Sequence, residues 1–316
     1  MRRLMRRPLV LVPLCGLVAA CTDAPGAGDE PALEILSPMP DAQFYRDTLD
    51  GNGARIATVP VEVAITGDIA KVVLSFDAAQ LGELDAEGKA LATFRDTGLV
   101  TLTATALDEA DGPLMTASVD IHVDEPAIAS CRAWLDLYKV QYTVGPMNPG
   151  VADPVTVMMP INGMPYRSGG APRTKMFGDC ALIKSLAEAA PLWKQRGIVE
   201  VTDMGVYNYR CIGGTGTPPN CPNGVSQHAY GNAIDLASFK DSAGLTYSVN
   251  NDFVIDPAPQ KTCTAPTEPG KDTVLHEVAC ELKDEGLFNI VLTPNYNADH
   301  RDHFHVDLTQ GASFID

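Results

Sequence analysis

Cations are scarce in this chain: 23 Lys and Arg stand against 40 Asp and Glu, a formal net charge of −17 over 316 residues. Such a surface repels polyanions, which argues against nucleic acid or an anionic lipid face as partner. The apolar run Pro8–Leu17 is only about half the ~20 residues a membrane-spanning helix needs. No cysteines show zinc-finger spacing, so a cysteine-built zinc site is not expected. Residues 32–124 hold no cysteine and a single histidine, His122, and no site chemistry is visible there. What remains is ordinary globular material, 45% hydrophobic and 20% charged, with a length that favours two domains once a leader is set aside.

The N-terminus decides the expected compartment. Arg2, Arg3, Arg6 and Arg7 precede the short apolar run, and Val18-Ala19-Ala20-Cys21 follows it. That arrangement reads as a signal peptide over residues 1–20 ending in a sequence that resembles a bacterial lipobox, with Cys21 lipidated. Residues 21–31 are small and polar, as a tether would be. The expectation is a lipid-anchored envelope protein on the periplasmic face, with the outer membrane favoured because Thr22 rather than Asp follows the cysteine, or at the cell surface. Six further cysteines, Cys131, Cys180, Cys211, Cys221, Cys263 and Cys280, read as a disulfide framework in an exported domain. Local pairing would join Cys211 to Cys221 and Cys263 to Cys280, leaving Cys131 with Cys180.

Residues 32–125 carry runs of β-alternation at 33–36, 59–65, 72–76, 100–104 and 117–123, with Gly and Asp between them. This predicts an all-β, Ig-like sandwich, most simply a spacer. Residues 126–316 mix both periods, predicting an α+β domain with a small antiparallel sheet. One helix begins behind Asp179 as N-cap and is expected to end or bend at Pro191. A second spans 273–285 and stops at Gly286. Strands are expected at 198–207, 233–239, 289–293 and 303–308. The Pro- and Thr-rich stretch 256–271 reads as a surface loop, and His276 as unrelated to any site.

The chemistry gathers in two segments. In His300-Arg301-Asp302-His303-Phe304-His305, strand alternation puts His303 and His305 on one face and Phe304, Val306 and Leu308 on the core face. Upstream, Ser226-Gln227-His228-Ala229-Tyr230-Gly231-Asn232-Ala233-Ile234-Asp235 places a carboxylate inside an apolar strand, seven residues after a histidine. A buried carboxylate must be paired, hydrogen-bonded or metal-bound. Two nitrogens and an oxygen, from His228, Asp235 and the His303/His305 pair, match a three-ligand Zn2+ site. The plainer alternative is an Asp235–His228 ion pair without metal.

From Cys131 to Leu308 the chain resembles the extensin-like C-terminal family. The resemblance is carried by Asp153-Pro154-Val155, the Cys180 helix, Tyr209-Arg210-Cys211, S-Q-H-A-Y-G-N-A-I-D and P-N-Y-N-A-D-H-R-D-H-F-H-V-D-L. It implies kinship with LAS-type zinc peptidases and zinc-dependent hydrolysis of peptidoglycan peptides, of DD-carboxypeptidase or endopeptidase type. The alternative it leaves open is a catalytically inactive peptidoglycan-binding or envelope-organising module that keeps the metal fold. The implied ligands are His228, Asp235 and His305. For the general base, His303 is the first candidate with His300 as its partner, and Asp302 the second; Arg210 and Ser226 are candidates for holding substrate. The stretch 212–220 departs from the family pattern as an insertion beside the site.

Overall fold

A computed structural model describes residues 31–76, 79–257, 261–264 and 266–316. The leader, Cys21 and nearly all of the tether lie outside the described residues. Within them, no helix is long and apolar enough to cross a membrane.

Strict alternation builds the first unit. Along β4 (Arg55–Thr66), Ala57, Val59, Val61 and Val63 are buried while their neighbours face outward. The same holds for Val100, Leu102, Ala104 and Ala106 on β8 (Gly98–Leu107), and for Val119, Ile121 and Val123 on β9 (Pro113–Asp124). One sheet pairs β4 with β1 (Ala32–Ser37), β3 (Thr48–Leu49) and β7 (Lys89–Phe94). The other runs β2 (Ala42–Tyr45), β9, β8, β5 (Lys71–Phe76) and β6 (Ala79–Glu83). A single apolar cluster fills the space between them, so the unit is a β-sandwich.

The second unit has its own core. Its eight-stranded sheet runs β13 (Ala171–Pro172), β12 (Tyr166–Ser168), β15 (Ile198–Gly205), β16 (Ala233–Asp241), β19 (Phe304–Asp307), β18 (Ile290–Leu292) and β20 (Phe314–Ile315), with β17 (Thr246–Ser248) on β16. The sheet is larger than expected and mixed, since β12–β15 and β18–β20 pair parallel. A second sheet, β10 (Tyr142–Val144), β11 (Pro154–Met158) and β14 (Lys175–Asp179), leads into helix α2 (Cys180–Gln195). Helices α2 and α4 (Lys271–Asp284) share this core with Ile234 and Leu236 of β16 and Phe304 and Val306 of β19. Burying each such large side chain is worth about 1.5–3 kcal/mol. Alternation then turns Asp235 and His305 to the opposite face.

Asp179 caps α2, its Oδ1 accepting from the Ala181 amide at 3.0 Å. Of the two outcomes expected at Pro191, the helix does not end there but continues to Gln195, and the cause is local. Proline cannot donate to the Ala187 carbonyl, and Asn162 Nδ2 donates to that oxygen instead, at 2.8 Å. Gly286, at φ +66°, follows the end of α4. Three disulfides join Cys131 to Cys180, Cys211 to Cys221 and Cys263 to Cys280. The first ties the short helix α1 (Cys131–Leu137) to α2.

The described residues of the 256–270 stretch carry no strand or helix and are mostly exposed, as a surface loop, with two buried anchors. Thr262 is buried and bonds Thr293 at 3.0 Å, while Asp256 accepts from Asn295. His276 stands between two carboxylates, 3.2 Å from Asp256 and 3.0 Å from Asp272, with its ring stacked on Phe253.

Candidate metal centre

His228 sits on a single helical turn, Gln227–Tyr230, just before β16. Two glycines let the surrounding chain close on this turn. A Cβ on Gly231 would come within 2.8 Å of the Asp179 amide, and one on Gly150 within 2.3 Å of the Ala229 carbonyl. The Asp179 amide donates to the Gly231 carbonyl at 3.0 Å, and Asp179 Oδ2 accepts from the Asp153 amide at 2.8 Å. The Asp153-Pro154-Val155 and Cys180 segments therefore support the His228 turn from behind.

Asp235 and His305 lie directly opposite each other on β16 and β19, where paired side chains share a face. Three atoms converge: His228 Nε2 and Asp235 Oδ1 are 3.2 Å apart, His305 Nδ1 and Asp235 Oδ1 2.9 Å, and the two nitrogens 3.2 Å. The remaining ring nitrogens fix the tautomers. His228 Nδ1 is 2.7 Å from the Val206 carbonyl oxygen, which can only accept, so that nitrogen carries the hydrogen. His305 Nε2 is 3.0 Å from Asp307 Oδ2 and donates to it. On the inner side the second nitrogen of each ring, His228 Nε2 and His305 Nδ1, faces the same Asp235 oxygen.

Such a set could hold a cation. A tetrahedral ion with bonds of about 2.0–2.2 Å sets ligand atoms about 3.3–3.6 Å apart, a few tenths of an ångström wider than this triangle. Backing of each ring by a carbonyl or a carboxylate is the usual outer support of metal-binding histidines. Without metal, a proton on His305 Nδ1 fills the same place. Burial lowers the His305 pKa, but flanking Asp235 and Asp307 outweigh it and raise it to about 9. Burial likewise pushes Asp235 up, and hydrogen bonds from His228 and His305 hold it well below the usual carboxylate range. Metal and proton thus compete for one position.

The neighbouring histidines line one side of the triangle. His303 lies just before β19, with Nε2 at 3.5 Å from Asp235 Oδ1 and Nδ1 at 2.7 Å from Asp302 Oδ1. Its hydrogen-bond partner is therefore Asp302. His300 was the expected partner, but it makes only a ring contact with His303, centroids 5.2 Å apart, because its own Nδ1 is taken by Asn297 Oδ1 at 2.8 Å. Burial and the nearby His303 and His305 lower the His300 pKa to about 4. Arg301 closes this loop by donating to the Pro294 carbonyl. Arg210 is half-buried and Ser226 buried, and the Ser226 amide donates to the Arg210 carbonyl. No side-chain hydrogen bond or ion pair holds either one among the described residues.

Over more than half of the chain, residues 142–314, the sequence matches the family described as extensin-like protein C-terminus. The chain belongs to that family. Its extensin-like domain therefore contains the whole triangle and the His300–His303 loop. No curated protein matches the chain. Among solved structures, it is similar to the fibronectin(III)-like modules of Clostridium thermocellum CbhA, at 14% identity and TM-score 0.26, over 31% of this chain and all of that one. It is also similar to the Bacteroides ovatus mixed-linkage glucan utilization locus protein SGBP-B, at 12% identity and TM-score 0.23. That match covers 69% of this chain and spans 45% of the other.

Some of the extensin-like site escaped the sequence reading. Asp307 shares the face of His305 two positions earlier, a signal that was available in H-V-D. The Val206 carbonyl is main chain and leaves no trace in composition. Arg173 forks onto Asp203, with Nε at 2.6 Å from Oδ2. Burial pushes this carboxyl up, with the arginine opposing and the charge of Asp235 adding to the rise. Thirty residues separate that pair, and nothing in either segment points to the other.

Proposed function

We propose that the extensin-like domain holds one zinc ion through His228 Nε2, Asp235 Oδ1 and His305 Nδ1, and hydrolyses peptide bonds in peptidoglycan. The observation that carries this reading is the convergence of two ring nitrogens and a carboxylate oxygen within 3.2 Å of one another. When bound, zinc supplies Lewis acidity that polarises a carbonyl and acidifies water to a pKa of about 7.

The chain's own groups handle the proton. Asp302 holds a hydrogen on His303 Nδ1 and leaves the Nε2 lone pair turned toward Asp235. His303 accepts a proton from water there and returns it to the leaving amine, with Asp302 stabilising the charged ring. His300, kept neutral by its low pKa, adds no competing charge. Arg210 and Ser226 hold substrate carboxylate or carbonyl groups.

Peptidoglycan as substrate, and kinship with LAS-type zinc peptidases, rest on the motif resemblance. An export leader and a lipid anchor at Cys21 accord with that substrate and with an envelope location. The test is digestion of purified sacculi by the zinc-loaded full chain, with released muropeptides separated and weighed by mass spectrometry. Expected are new peptide ends that disappear with chelator and return with zinc. Absence of cleavage with every divalent metal tried overturns the enzyme reading in favour of a wall-binding module.

A further inference from the structure

A hairpin projects from the metal ligand itself. Its arms run from Asn208, whose amide donates to the His228 carbonyl, to Ile212, and back from Gly224 to Ser226. Arg210 pairs with Ser226 and Ile212 with Gly224 through main-chain hydrogen bonds, and Cys211 bridges Val225. Beyond these arms lies a lobe closed by the Cys211–Cys221 disulfide. Inside the lobe a tight turn joins Thr217 and Asn220, and a Cβ on Gly216 would come within 2.6 Å of the Asn220 carbonyl.

The lobe is compact yet supports nothing beneath it. Nearly every residue from 212 to 224 is exposed, and Tyr209 and Ile212 are 41% and 49% exposed at its root. A segment stiffened in this way buries little core of its own, and a preorganised surface loses less entropy on binding. Its chemistry is also unlike the rest of the molecule. From Cys211 to Ile234 there is no Asp, Glu, Lys or Arg, in a chain that is 20% charged with a net charge of −17. Thr215, Thr217, Asn220 and Asn223 make no side-chain hydrogen bond among the described residues. Hydroxyls, amides and an exposed tyrosine, with no formal charge, are the groups that recognise a neutral, hydroxyl-rich ligand: the ring stacks and the small side chains hydrogen-bond.

We propose that this lobe is a contact surface for a polysaccharide strand, and that it brings peptides attached to such a strand to the metal centre. The substrate class is then a glycan-linked peptide rather than a free one. This part rests on the hydrolase reading above; glycan contact by the lobe does not.

The test uses the zinc-loaded full chain and two probes, peptide-free glycan strands prepared from sacculi with an amidase and a soluble wall peptide without sugar. The wild type should co-sediment with the glycan strands. Tyr209→Ala combined with Ile212→Ser should weaken that binding by about tenfold, the effect of losing an aromatic anchor, while Tyr209→Phe should retain most of it. Zinc content and hydrolysis of the soluble peptide should not change in any variant. Wild type that ignores the glycan strands, or a double variant that binds them equally well, overturns the proposal. So does a double variant that loses zinc or soluble-peptide hydrolysis in step with glycan binding, because the lobe is then only a support for His228. Glycan binding that depends on the lobe in a protein that hydrolyses nothing leaves this proposal standing and removes the catalytic one.

Discussion

The second unit contains two clusters of aspartate and histidine, and the same residue types do opposite things in them. Around His276, each ring nitrogen faces a carboxylate. The carboxylates have further donors: Asp272 accepts from the amides of Val254 and Glu268, and Asp256 from Asn295. All three side chains are 3–5% exposed. Donors and acceptors balance, and nothing further is required. Around Asp235, two ring nitrogens and an oxygen meet about one position, and Asp235 and His305 retain 18% and 12% exposure. The first cluster is closed; the second is more accessible and brings together three atoms that could hold a metal ion. The difference lies in what the outer nitrogens face. A carbonyl behind His228 and a carboxylate behind His305 each take up a ring nitrogen on the outer side, so that the other nitrogen of each ring turns to Asp235.

The largest expected effect breaks the comparison at its root. His228→Ala or Asp235→Ala should reduce bound zinc from about one equivalent to almost none, because two protein ligands hold zinc poorly. His276→Ala should leave zinc content unchanged. Elemental analysis of the purified proteins decides this, and equal zinc in all three variants would falsify the ligand assignment.

Next in size, His303→Ala should keep the metal but lower turnover on muropeptides by about two to four orders of magnitude, the usual worth of a general base. Loss of metal in that variant would make His303 a ligand, and full activity would move the base to Asp302.

The closed cluster answers to a different measurement. His276→Ala leaves two buried carboxylates without their shared partner and should cost about 3–5 kcal/mol in urea unfolding. A loss below about 1 kcal/mol would mean that water or relaxation satisfies the carboxylates. The smallest effect concerns the outer support: Asp307→Asn should weaken zinc binding by about 10–100-fold without abolishing it, as read by competition with a chelating dye.

The three candidate ligands are legible in the sequence because they lie in dense local patterns. H-x(6)-D into an apolar strand and H-x-H on another can be read from alternation alone, as can the buried Phe304 and Val306. The Asp179 cap and the Gly286 stop follow from equally local rules. What was not legible depends on distant chain. Short strands such as β6 and β7 carry little alternation of bulky residues and become strands only because β4 and β5 pair with them. Pro191 is a helix breaker by local rules, overruled by Asn162, which reaches the Ala187 carbonyl from 25 residues away in the chain. Asp302 took the place expected of His300 because Asn297 had already claimed the His300 ring.

Asn162 does more than repair a helix. The same Nδ2 donates to the Gly53 carbonyl of the sandwich at 2.9 Å, and Lys194 on α2 donates to the carbonyls of Asn52 and Asn162. Arg55 of β4 adds an ion-pair contact with Glu188 on α2 and lies 4.8 Å over the Trp134 ring. The sandwich is thus bolted to the very helix whose cap backs the His228 turn, so it serves as a lever arm and not a slack leash. A load on β4 passes through this joint into α2, and the face that carries His228 keeps a fixed heading relative to the sandwich.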